Sequence, residues 1–296
     1  DWRGSIYLHN LWEIKQWIAI SGNFRKDFVY QTKIPFTPSA GLRISPIFSD
    51  SLSINIIANI SKNIKVPTLN DRFWGDIDNR TLTPEEAFNI EVGIQHTLEK
   101  NFYKSQSSIM VYRNNVDNWI LWLPRGNIWK PINVDEVLAK GAEINFSQTF
   151  TKKRQQHTQT LSYSINHTEV MKGFREMLPF VGQQIPLLPS HTANFLASGK
   201  LTHITYVLQG SYVGERHTSD IFDRLPHYFL LSIQVGYDFA LSKKKENTHG
   251  YLHHLNLSLR GNNILNTEYE TMPYKAMPGR NFLVSLKWTT EKQIRK

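Results

Sequence analysis

Hydrophobic and polar residues alternate with a period of two along most of this chain. Ile18, Ile20 and Phe24 stand against Ala19, Ser21, Asn23 and Arg25. Leu52, Ile54, Ile56, Ala58 and Ile60 stand against Ser53, Asn55, Asn59 and Ser61. Phe229, Leu231, Ile233, Val235, Tyr237 and Phe239 stand against Ser232, Gln234, Gly236 and Asp238. Successive side chains of a β-strand point to opposite faces, so each segment is a strand with one apolar and one polar side. Helical spacing is nearly absent, and about thirteen strands can be marked. Many run to about ten residues, where strands of globular proteins usually have five or six. A tilted strand of about 9–11 residues crosses a bilayer, so length favours a membrane-spanning barrel.

The polar face adds to this. A water-exposed sheet would carry many lysines and glutamates there; here Ser, Asn, Gln and Gly dominate, as in a barrel lumen. Trp2, Trp12, Trp17, Trp119, Trp122, Trp288, Tyr206 and Tyr212 fall near strand ends, where aromatic rings settle at headgroup level. Connections alternate in length: short at 49–51 and 200–203, medium at 242–250, long at 64–86, 123–134, 172–190 and 261–280. Outer-membrane barrels show this asymmetry, with tight periplasmic turns and long extracellular loops.

Of the 296 residues, 34 are Lys or Arg and 25 are Asp or Glu, giving a net charge of +9. The cations are dispersed rather than striped, which argues against a nucleic-acid partner and for a solvated surface beside anionic lipid. There is no cysteine, hence no disulfide or thiolate metal site. No apolar run is long enough for a transmembrane helix, so any crossing is made by strands. The chain opens in strand-like sequence and reads as part of a longer product.

Several stretches resemble the TonB-dependent outer-membrane receptors. They are SKNIKVPTLNDRFW at 61–74, LTPEEAFNIEVG at 82–93, NNILNTEY at 262–269 and PGRNF at 278–282. Tyr112 to Leu123 followed by Asn133, the Gly141-Ala142-Glu143 step and the Leu188-Pro189-Ser190-His191 strand entry are also similar. The resemblance implies an all-β fold: the C-terminal portion of a 22-stranded, plugged transmembrane antiparallel β-barrel in the bacterial outer membrane. Residues 1–288 would belong to the barrel and 289–296 would be a polar, basic tail. The complete protein would import a scarce metal chelate, cobalamin or a ferric siderophore, with energy delivered through the TonB complex. Its partners would be the lipid bilayer and lipopolysaccharide, an N-terminal plug and further strands that this sequence lacks, and the chelate. No histidine lies between Val66 and Leu82, where the haem-importing branch carries one, which weighs against haem.

The chemistry expected is recognition. Arg72, Phe73, Trp74, Arg80, Trp122, Arg125, Trp129, Phe180 and Tyr274 fall in the long loops, and arginine beside aromatic rings suits a large chelate. No catalytic residue, resident metal or cofactor is expected. Asp76, Asp78, Glu85 and Glu86 read as solvated loop acids, and His253 and His254 point to opposite faces of one strand. No nucleophile elbow, phosphate loop or zinc-protease motif is present. The alternative function is a passive porin-like or adhesion barrel.

Overall fold

The computed structural model describes residues 2–30, 32–73, 81–125, 128–153, 155–173, 181–218, 223–241 and 251–292. Thirteen strands form one antiparallel sheet in which neighbours in space are neighbours in sequence. In order they are β1 (Arg3–Lys15), β2 (Ile18–Val29), β3 (Phe36–Phe48), β4 (Leu52–Lys65), β5 (Glu85–Lys100), β6 (Tyr103–Arg125) and β7 (Ile128–Lys152). Then follow β8 (Gln155–Lys172), β9 (His191–Leu201), β10 (Ile204–Val213), β13 (Tyr228–Ala240), β14 (Tyr251–Asn262) and β15 (Asn281–Lys292). One short helix, α1 (Leu69–Phe73), lies between β4 and β5, and a two-residue pair, β11 (Arg216–His217) with β12 (Arg224–Leu225), lies between β10 and β13. No helix among the described residues is long and apolar enough to cross a membrane. β15 runs past Trp288 to Lys292, which pairs with Tyr251.

The alternation sorts the two faces. Val235, Leu259 and Val284 form one cross-strand row on the apolar face, exposed by 50%, 55% and 67%. Ser258, on the opposite face of β14, is 7% exposed. The polar face is laced by neutral hydrogen bonds: Ser45 to Asn55 at 2.7 Å, Ser164 to Thr192 at 2.7 Å, Ser211 to Asn194 at 2.9 Å, Gln148 to Gln159 at 2.7 Å.

The apolar band is staggered against the hydrogen-bond register. One register row joins Asn10, Gly22, Ala40, Ile60, Ile90, Arg113, Lys140 and His167. It starts inside the band and leaves it at the long-loop side. Another joins Lys100, Tyr103, Phe150, His157, Gly199, Tyr206, Val235, Leu259 and Val284. That row starts at the short-turn margin and ends mid-band. The drift is roughly one residue per strand; with a rise of about 3.4 Å and a spacing of about 4.8 Å it gives a tilt of about 35°. On β5 the band runs from Phe88 to Leu98. Ten steps at that tilt give a height of about 28 Å, close to the roughly 25 Å apolar belt of outer-membrane barrels.

Turns at one end of the sheet span only 16–17, 49–51, 101–102, 153–154 and 202–203, with 241–250 longer; the opposite end carries 66–84, 173–190, 214–227 and 263–280. Residues 123–134, expected as a long loop, are instead the top of a β-hairpin. β6 and β7 stay paired out to Arg125 with Ile128, far beyond the band. The apolar run Trp119 to Leu123 supplies cross-strand partners for Ile132 and Val134 and so carries the ladder upward. Trp119 and Trp122 are therefore not membrane-girdle residues. Trp119 packs on a small core of Val116, Val134, Val137, Val170 and Ile185 above the band.

The two faces should respond differently to charge. In the full-length protein folded into a bilayer, Val235→Arg should destabilise by about 2–4 kcal/mol, whereas Ser232→Arg on the lumen face should cost much less. Equilibrium unfolding in lipid vesicles measures both, and equal losses would contradict the face assignment.

Candidate functional site

Above the band, loops are held by side chains that bind backbone. Asp71 of α1 accepts the Thr68 amide at 2.8 Å and the Thr68 hydroxyl at 2.7 Å, and the Thr68 oxygen accepts the Asp71 amide at 3.2 Å. This reciprocal cap starts the helix. The other carboxylate oxygen of Asp71 accepts the Trp122 indole N–H at 3.0 Å, tying α1 to the β6–β7 hairpin. Burial works against ionised Asp71, but the bonds from Thr68 and Trp122 and the charge of Lys65 outweigh it and hold its pKa below the ordinary value of 3.8.

Asn133 clamps the next turn. Its carbonyl accepts the Thr83 amide at 2.9 Å, and its NH2 donates to the carbonyls of Thr83 at 3.1 Å and Asn118 at 2.7 Å. Asn118 has φ +58°, a left-handed conformation that asparagine tolerates. Glu85, 8% exposed, accepts the Ile120 amide at 2.9 Å and Lys65 Nζ at 2.9 Å.

The remaining loops close the circle. The Ile185 amide donates to Thr168 O at 2.8 Å, and the Leu187 amide to His217 O at 2.7 Å. Buried Arg216 donates to the carbonyls of Glu270 at 3.1 Å, Pro226 at 3.3 Å and Thr271 at 3.5 Å, with its guanidinium 5.1 Å from the centre of the Tyr228 ring. Asn263 accepts the Thr267 amide at 2.9 Å and donates to Thr267 O at 2.9 Å, shaping the start of the last loop.

Together these loops enclose a cleft of about 910 Å³ on the long-loop side. Its walls are Ile120, Leu121, Trp122 and Leu123 of β6, Trp129 of β7, Pro186 and Leu187, Met272 to Lys275, and Asn70 of α1. Lys275 is the one formal charge among these lining residues. Tyr274 is 98% exposed at φ +63°, rare for an aromatic residue. A second hollow, of about 710 Å³, lies on the lumen wall among Gln95, Gln106, Ser108, Asn145, Asn194 and Gln209. The upper cleft has the mix of aromatic platforms and few polar groups that suits a bound small molecule.

Of the residues singled out in the sequence, Trp122, Trp129 and Tyr274 meet in this cleft. Arg72 and Phe73 sit on α1 beside Asn70 without lining it; Arg72 reaches Thr32 at 3.4 Å and Phe73 is 52% exposed. Arg125 ends β6, paired with Ile128. Trp74, Arg80 and Phe180 lie outside the described residues, as do Asp76 and Asp78. Leu121, Leu123, Leu187, Met272 and Pro273 were not anticipated. The unbroken apolar run Trp119 to Leu123, where a strand with one polar face should alternate, was the available signal for the first two.

Asp71 makes the hairpin contact pH-dependent. A depressed folded pKa means that its stabilisation is complete above about 3.8 and is lost as pH falls through the lower folded value. Fluorescence of Trp122, with the other tryptophans replaced, should stay constant from neutral pH to about 4 and change only below that. Asp71→Asn should remove the transition.

The family described as TonB dependent receptor-like, beta-barrel matches residues 2–264. A vitamin B12 transporter BtuB from Vibrio vulnificus strain CMCP6 is 26% identical over 241 residues, covering 79% of this chain and 34% of that protein. Its namesake from Vibrio vulnificus strain YJ016 is 36% identical over 110 residues, covering 36% of this chain and 17% of that protein. The crystal structure of the siderophore receptor PiuA from Acinetobacter baumannii superimposes with a TM-score of 0.71 at 19% identity, covering 98% of this chain and 43% of that one, a likeness of fold. The chain thus spans about a third or less of these curated relatives' length. With its thirteen tilted antiparallel strands, it is a partial barrel of the bacterial outer membrane and belongs to the TonB-dependent receptor β-barrel family.

Proposed function

We propose that the complete protein is an energy-coupled outer-membrane receptor that takes up a scarce metal chelate through its extracellular loops. The observation that carries this reading is the convergence of Trp122 and Trp129 of the β6–β7 hairpin with Leu187 and Tyr274 of two separate loops on one cleft above the lumen. Indole and phenol rings give broad contact at little entropic cost, and desolvated aromatic anchors dominate many binding sites. Of the two cargoes considered, cobalamin is favoured. The sequence relatives are named vitamin B12 transporters, and among the described residues the cleft offers apolar surface with a single cation rather than a cluster of cations for a highly charged anion. The plug, the remaining strands and the TonB complex would complete the machine.

Growth of a deletion strain complemented with the full-length gene, on limiting cobalamin or on ferric siderophores, tests the cargo. Restored growth on cobalamin alone is expected; uptake that persists without the inner-membrane energy source would favour a passive barrel. Trp122→Ala and Trp129→Ala should each weaken cobalamin binding to the purified receptor by about tenfold or more, as loss of an aromatic anchor does. Unchanged affinity in both would remove the cleft from the binding site.

A further inference from the structure

The last long loop folds back at its tip as a small hairpin. Glu270 bridges Ala276, and the Met277 amide donates to Tyr269 O at 3.2 Å. Between them Met272, Pro273, Tyr274 and Lys275 make a tight turn, closed by the Lys275 amide donating to Met272 O at 3.2 Å. Proline second and a positive φ third is the pattern of a type II turn, whose third position calls for glycine or asparagine. This chain puts Tyr274 there, at φ +63°. Packing does not account for the choice, since Tyr274 is 98% exposed. A large residue held in a sparsely populated conformation points to a role in function. Buried Arg216 grips the carbonyls of Glu270 and Thr271 at the base of this hairpin, so the ring stands at a fixed place on the cleft wall.

Lys275 follows directly in the turn and makes no ion pair among the described residues. Asp71, beside Asn70 on α1, spends its carboxylate on Thr68 and on the Trp122 indole N–H. With that N–H taken, Trp122 offers the cleft the apolar surface of its ring. A cleft of about 910 Å³ is of the size that holds a drug-like molecule, less than a whole corrinoid. A corrinoid has two chemically distinct parts. Its ring carries amide side chains all round, and amides set against Leu121, Leu123 and Leu187 would lose their hydrogen-bond partners. Its nucleotide arm ends in a flat heteroaromatic base, joined through ribose to one phosphodiester. Aromatic platforms beside a single free cation match the arm and not the rim of the ring.

We propose that the Met272–Lys275 turn is the specificity element of the cleft and reads the nucleotide arm of the cargo. Tyr274 stacks on the base, with Trp122 and Trp129 on the facing wall, and the Lys275 ammonium pairs with the phosphodiester. This rests on the cobalamin reading above and deepens it: the receptor selects complete corrinoids over those that lack the arm. Stacking of a base on an aromatic ring and a charge-assisted bond to phosphate each contribute about tenfold in affinity.

The test titrates the full-length purified receptor with cobalamin and with cobinamide, which keeps the corrin ring and its amides but has no phosphate, ribose or base. Cobalamin should bind about tenfold or more tightly than cobinamide. Lys275→Gln and Tyr274→Gly should each lower the cobalamin affinity by about tenfold and so narrow the gap between the two ligands. Tyr274→Gly installs the residue that the turn favours and removes only the ring, so a loss of affinity there reports recognition and not folding. Equal affinity of the wild type for both corrinoids, or variants that weaken both alike, would overturn this proposal and leave the cobalamin reading standing. Binding of neither corrinoid would overturn the cobalamin reading itself, and this proposal with it.

Discussion

In hydrocarbon no water is available to satisfy a backbone N–H or C=O, and every other feature of this chain follows from that constraint. It selects strands over loops, makes them long, and pairs each with its neighbours along the chain. Tilting gives each strand side chains enough to line a belt of bilayer height. The same tilt staggers the belt against the ladder, so a row that is apolar on β4 and β5 carries Arg113, Lys140 and His167 on the next three strands.

Beyond the belt the constraint relaxes and different forces take over. Water satisfies loop backbone there, so loops need specific reasons to hold one shape. Asn133, Asn263 and Arg216 supply them by bonding main-chain groups, and Asp71 by accepting the Thr68 amide and the Trp122 indole N–H. Each such bond contributes only about 1 kcal/mol net, more where a charge is involved. Their collective effect is to place aromatic residues from several loops around one cleft. A small apolar core centred on Val134, Val137 and Val170 supports that storey from below.

The strands were legible because period-two alternation is imposed residue by residue; the pattern at Phe229 to Phe239 needs no distant partner to be recognised. The β6–β7 extension was not. Trp119 to Leu123 breaks the alternation, and Pro124 and Pro131 suggest a loop, yet Pro131 sits opposite Trp122 in the ladder. Trp119, Leu121 and Leu123 pack on the small core while Trp122 is tied to α1, and such packing is a tertiary fact. For the site, the sequence offered aromatic residues in the long connections, and Trp122, Trp129 and Tyr274 do meet. What it withheld was the company: the Leu187 amide donates to His217 O, and Met272 follows Thr271, whose carbonyl accepts from the Arg216 guanidinium, contacts that no local pattern announces.

The thirteen strands have one consequence of parity. In an antiparallel sheet directions alternate, so with an odd count β1 and β15 run the same way. Joining these two edges directly would make a parallel seam in an otherwise antiparallel wall. A barrel that is antiparallel all round therefore needs an odd number of further strands between them. The edges are thus mismatched to each other, which guards the sheet against closing prematurely on itself and reserves them for the strands that complete the wall.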